Sequence, residues 1–179
     1  MGRVKPSSGI YIPNNGIALI KLADLDRTRR IVIHEVVHVL NHTMIGRTPT
    51  WFDEGIAEYF EGINPEMNFS VIHPNKDWLN EKGIFIGHKK TISAIISSSN
   101  DWQRRNYSQL YSSSWSLIHY IMEDEQGRKN LALYMENESF NSCDLIESNI
   151  IHALLRSNKP DLDRAFDIFL LAKQEIHRI

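Results

Sequence analysis

The chain has 179 residues, 42% hydrophobic and 23% charged, with a formal net charge of -2 and a sequence pI near 6.4. That is the composition of an ordinary soluble globular protein, and a chain this long buries roughly 70% of its unfolded surface, so one core suffices without a disulfide scaffold. The basic residues are scattered apart from short clusters at Arg27 to Arg30 and Arg104 to Arg105, and no apolar run reaches the ~18 residues that span a bilayer, which excludes nucleic acid as a partner and excludes membrane insertion.

Gly9-Ile10-Tyr11-Ile12-Pro13 and Gly16-Ile17-Ala18-Leu19-Ile20-Lys21-Leu22, joined by Asn14-Asn15, read as two short strands and a turn. From Asp26 onward Ile33, Val37, Leu40 and Met44, flanked by Val32, Val36 and Val39, recur at helical spacing, which predicts a buried helix. Thr48-Pro49-Thr50 supplies start signals for a second helix carrying Trp51, Phe52, Ile56, Ala57, Tyr59 and Phe60, with Gly62 or Asn64-Pro65 as its stop. The Asn-, Pro- and Gly-rich stretch Asn64 to Lys90 reads as a long, partly ordered loop. Beyond it, helices are expected around Thr91 to Ser97, Asn106 to Glu125, Arg128 to Glu136, Asp144 to Arg156 and Asp161 to His177. Ser97 to Ser99 and Ser112 to Ser114 look like turn and helix-start chemistry. The expected fold is α+β and predominantly helical, a single domain. Residues 1–64 hold a small N-terminal sheet and the metal-binding helices; residues 65–179 hold the loop and a helical half.

His34-Glu35-Val36-Val37-His38 fits H-E-x-x-H. On a helix this spacing stacks two imidazoles one turn apart on one face, close enough to share a zinc ion at ~2.0–2.1 Å, with Glu35 beside it. A strand would hold the same histidines ~13 Å apart, at ~3.3 Å per residue. The helix reading and the metal reading therefore stand together, although the β-branched run Ile31-Val32-Ile33 and Val36-Val37 has strand propensity. Catalytic zinc takes three protein ligands and keeps an open position for water. Trp51-Phe52-Asp53-Glu54-Gly55-Ile56-Ala57-Glu58-Tyr59-Phe60 offers Glu54 and Glu58 on one helical face as candidates for the third. A buried carboxylate among so many apolar neighbours needs a cation or hydrogen-bond donors.

H-E-x-x-H followed by W-x-x-E-G-x-A-x-Y-F resembles the gluzincin metallopeptidases, including the aminopeptidase-like and peptidase MA-like families. The resemblance covers about residues 9 to 135 and implies a zincin-like catalytic domain that hydrolyses peptide bonds in a peptide or protein substrate with one Zn²⁺. It implies His34, His38 and Glu54 as metal ligands, Glu35 as the base that activates water, and Glu58 as support for a ligand histidine, with Glu58 as the alternative ligand. Tyr107 to Tyr120 resembles the helix after the zinc site, where a tyrosine donates to the developing oxyanion; Tyr111 matches best and Tyr107 second. The G-x-M-E-N-type segment of clan aminopeptidases is missing: Gly16-Ile17-Ala18-Leu19-Ile20 has no carboxylate to grip a free amine, which favours internal cleavage.

Other residues have plainer readings. His42 lies one turn beyond His38, where a fourth protein ligand would close the coordination shell and block catalysis. His73 reads as a surface loop histidine, His119 as structural, Trp51 and Trp115 as core or cleft wall, and Cys143 as an inert thiol. A single thiol suits a cytoplasmic or an exported chain alike, and the residues fix neither compartment nor oligomeric state. The alternative function is a non-catalytic zinc-containing helical binding or assembly module; a third reading is a helical interaction protein whose motif is accidental.

Overall fold

The computed structural model describes residues 9–46, 48–66, 69–72, 78, 91–97, 107–140 and 162–176. The architecture is α+β and predominantly helical, with a small N-terminal antiparallel sheet. Strands β1 (Gly9–Ile12) and β2 (Ile17–Ile20) pair from Gly9↔Ile20 to Ile12↔Ile17. A 3-10 turn at Pro13–Asn15 and Gly16, at φ 60, close the hairpin; the left-handed conformation there is one that glycine adopts without a Cβ penalty.

Helix α1 (Leu25–Met44) starts where the Asp24 carboxylate accepts from the Arg27 N–H at 2.9 Å, satisfying an orphan donor of the first turn. Its buried residues are Ile31, Glu35, His38 and Asn41, whereas Val32, Val36, Leu40 and Met44 are exposed. The expected buried helix is thus buried on a face that carries Glu35, His38 and Asn41 beside Ile31, with its apolar stripe partly in solvent. The cause lies in the partner: α2 (Thr50–Glu61) packs against α1 and brings carboxylates to that face.

Helix α2 packs against both α1 and α4 (Tyr107–Glu123). Trp51, Phe52 and Ile56 meet Leu117, Ile118 and Ile121 in the core, which α3 (Ile92–Ile96), α5 (Glu125–Phe140) and α6 (Leu162–Ile176) complete through Ile92, Ile95, Leu131, Tyr134, Phe166 and Leu170. Asp163 accepts from the Ile92 N–H at 2.8 Å and ties the start of α6 to the start of α3. Ser112, Ser113, Ser114 and Ser116 are buried inside α4 rather than at a helix start. Ser112 and Ser116 satisfy their hydroxyls on the carbonyls of Gln109 and Ser112, whereas the buried Ser114 Oγ has no hydrogen-bond partner among the described residues.

One difference falls in the expected loop. Ile63–Glu66 (β3) and Phe69–Ile72 (β4) form a second antiparallel hairpin, in register from Ile63↔Ile72 to Glu66↔Phe69. Arg29 on α1 ties it down by donating to Ile63 O at 3.2 Å and Asn64 Oδ1 at 3.1 Å. The expected helix Asp144 to Arg156, His73 and Cys143 lie outside the described residues. Among the described residues no helix is long and apolar enough to cross a membrane.

Candidate metal centre

The site forms where α1 meets α2. His34 and His38 stand one turn apart, their rings edge-on with centroids 4.8 Å apart, as i, i+4 residues on a helix do. From α2, Glu54 Oε2 lies 3.5 Å from His34 Nε2 and 3.6 Å from His38 Nε2. These separations exceed the ~2.7–3.2 Å of an N–H···O bond. They match the spacing around a tetrahedral ion, whose ligand atoms at ~2.0–2.1 Å from the centre stand about 3.4 Å apart.

Polar accounting agrees with that fit. Glu54 Oε2 is buried and accepts no hydrogen bond among the described residues, an expensive condition for a carboxylate unless a cation meets it. Two imidazole nitrogens and one carboxylate oxygen are the donor set of a zinc site with three protein ligands. A second group, His34, Glu58 and Glu61, also brings donor atoms within 4.8 Å of one another. It uses only one of the two histidines.

Each far ring nitrogen faces a carboxylate. His38 Nδ1 lies 3.0 Å from Asp53 Oδ2, and Asn41 holds Asp53 from the other side by donating to Oδ1 at 3.0 Å. His34 Nδ1 lies 3.4 Å from Glu61 Oε2. A carboxylate behind a histidine fixes which nitrogen keeps its proton and aims the other at a metal. Neither Asp53 nor Glu61 stood out in the sequence, since H-E-x-x-H gives no register to a partner helix. Glu58 is buried near His34 and accepts from Trp78 Nε1 at 2.8 Å.

The electrostatics follow from this crowding. Burial opposes charge on His38, but Asp53 and Glu54 outweigh it and raise its pKa to about 9; His34, between Glu54 and Glu61, is raised well above the usual imidazole value against the same burial. Burial likewise disfavours ionised Glu54, yet the two imidazoles hold its carboxyl down at about 2. Burial, with Glu61 nearby, pushes Glu58 up to about 7. Glu35, only 4% exposed, is raised by burial despite the flanking His34 and His38, the direction expected of a carboxyl suited to trading protons near neutrality.

Tyr111 enters from α4. Its hydroxyl engages the Glu54 carboxylate, and burial, with Glu54 and Glu58 close by, raises its pKa, so it stays protonated. Gly55 permits this approach: a Cβ there would sit 2.7 Å from Ser114 O and 2.9 Å from Ile118 Cγ1, so α2 and α4 touch through bare backbone. The side chain of Tyr107 lies outside the described residues. His42 is exposed, 5.9 Å from the Tyr11 ring, in a cleft of about 240 Å³ that Asn14, His38, Thr48 and Asp53 also line. His119 stacks on Trp115 at 5.1 Å and belongs to neither of the two groups that could hold a metal.

The sequence-family model described as the Peptidase MA superfamily matches residues 5–152, and the chain belongs to that superfamily. No curated protein and no solved structure matches it.

Proposed function

We propose that the chain is a zinc-dependent peptidase of the gluzincin kind that cleaves internal peptide bonds, with His34, His38 and Glu54 holding the metal. The observation that carries this reading is the convergence of His34 Nε2 and His38 Nε2 on Glu54 Oε2 at 3.5 and 3.6 Å, with no hydrogen bond to that oxygen among the described residues. Membership of the Peptidase MA superfamily supports a peptidase-like enzyme acting on peptide or protein substrates.

When bound, Zn²⁺ supplies a Lewis acid for the scissile carbonyl and acidity enough to bring a water toward a pKa of ~7. Glu35 takes the proton of the attacking water and returns it to the leaving amine, a role its raised pKa favours. Tyr111, held protonated, donates to the oxyanion that develops on the carbonyl oxygen. Asp53 and Glu61 keep the imidazoles aimed.

Strand β1 borders the base: Gly9 abuts Glu35, and Tyr11 meets His42 further along α1. Neither β1 nor β2 carries a carboxylate to hold a substrate amine, which supports internal cleavage. Metal quantification with mass-spectrometric cleavage profiling on a mixed peptide library tests the reading. The wild type holds one zinc and cleaves; Glu35→Gln keeps the zinc and loses turnover. Full activity in Glu35→Gln removes the mechanism, and zinc bound without any cleavage by the wild type favours a non-catalytic module.

A further inference from the structure

Gly9 sits in β1, paired with Ile20. Among the described glycines those with positive φ are Gly16 and Gly46, so the backbone at position 9 is one that any residue adopts. Glycine inside a strand weakens it and marks a point where another group comes close. Here that group is Glu35. A Cβ built on Gly9 would overlap Glu35 Oε1 and stand 2.8 Å from Cγ and 2.9 Å from Cδ of the same side chain. All three nearest atoms belong to Glu35, so what glycine makes room for is this carboxylate.

Among the described residues no hydrogen bond to Oε2 does the same work from the buried side. Glu35 is 4% exposed, and its Oε2 has no hydrogen-bond partner among the described residues. A glutamate has three side-chain torsions, so with no hydrogen bond at Oε2 the packing around this carboxylate helps decide where it sits. We propose that Gly9 is a positioning residue: the bare backbone of β1 seats the Glu35 carboxylate beside His34 and His38, and a side chain at position 9 pushes it off that seat. The overlapping atoms are the mobile end of a side chain, so Gly9→Ala displaces the carboxylate while leaving α1 and the metal ligands in place. The kinetic consequence rests on the peptidase reading above; the contact does not.

The test compares Gly9→Ala in three backgrounds. In the otherwise native chain it keeps one zinc and a KM within about twofold, and kcat falls on the order of 100-fold, the loss that a misplacement of ~1 Å brings. With Glu35→Asp, whose carboxylate is drawn back by one methylene, the same change lowers kcat less than about threefold. Equal losses in both backgrounds, or an unchanged kcat in Gly9→Ala, overturn the proposal. A urea cycle with Glu35→Ala reads the contact without turnover. Replacing glycine by alanine at an unstrained position raises the unfolding midpoint through the unfolded chain, so the midpoint rises once the Glu35 side chain is gone and rises less, or falls, while it is present. The same midpoint shift in both backgrounds also overturns the proposal. A wild type with no peptidase activity would end the functional reading and leave the urea cycle to decide the contact.

Discussion

Asp53 and Glu61 lie behind the candidate ligands, each facing the ring nitrogen of a histidine that a metal would leave free. Removing such a partner frees the ring to turn and lowers its basicity, at a typical loss of ~10- to 100-fold in metal affinity. Asp53→Ala and Glu61→Gln should each weaken zinc in this range, measured by competition with a chromophoric chelator; Glu54→Ala should weaken it much further, and Glu58→Ala less than Glu54→Ala. The protonation of these groups makes a second prediction, for the apoprotein. His38 titrates at about 9 in the fold against 6.5 in the unfolded chain, so the folded apoprotein holds a proton that the unfolded chain has released. Its stabilising contribution is complete below pH 6.5 and is lost as pH rises to about 9, and His34 acts in the same direction. Urea midpoints of the apoprotein should therefore fall from pH 7 to 9, and zinc loading should remove the fall because ligated imidazoles are already neutral. At this scale the candidate ligands that converge, His34, His38 and Glu54, were legible, since H-E-x-x-H and Glu54-Gly55 are local patterns. The contacts of Asp53, Glu61 and Gly9 were not, because they depend on which atoms of another element these residues meet.

Helix α2 holds the site together, facing α1 with Glu54 and Asp53 and α4 with Gly55. Because the nearest atoms to a Cβ at Gly55 include backbone of α4, a methyl group there has to move a helix rather than a side-chain tip. Gly55→Ala should destabilise the fold by about 1–3 kcal/mol, the usual range for overpacking a tight contact. The midpoint in urea reads this loss, and a concurrent loss of zinc affinity would show that the α2–α4 contact also sets the position of Glu54. An unchanged midpoint would mean that the helices part freely. The glycine of W-x-x-E-G thus has a packing reason that the motif alone does not reveal. Helix existence was legible from periodicity, but the inward face of α1 was not: it buries Ile31, Glu35, His38 and Asn41 and exposes Val32, Val36, Leu40 and Met44. Hydrophobic spacing locates a helix and misleads about its inward face where that face is polar for function. The β3–β4 hairpin was missed because its strands are four residues each and contain Pro65, which argues against a strand unless the strand lies at an edge.

Over the whole molecule, an apolar core between α2, α4 and the later helices leaves the polar seam between α1 and α2 as the place where buried charge accumulates. That concentration is costly in a protein interior and is relieved by a cation. The fold class and the seam's principal residues could be read from the chain, because composition, periodicity and one spaced motif are properties of sequence. The packing that makes the seam usable is a property of contact and had to be seen. The central claim concerns where one ion sits. Anomalous diffraction at the zinc edge, on crystals of the zinc-loaded protein, should give a single peak ~2.0–2.2 Å from His34 Nε2, His38 Nε2 and a Glu54 oxygen, with no fourth protein group in contact. A peak between His34, Glu58 and Glu61, or an ion closed off by a fourth side chain, would contradict the account.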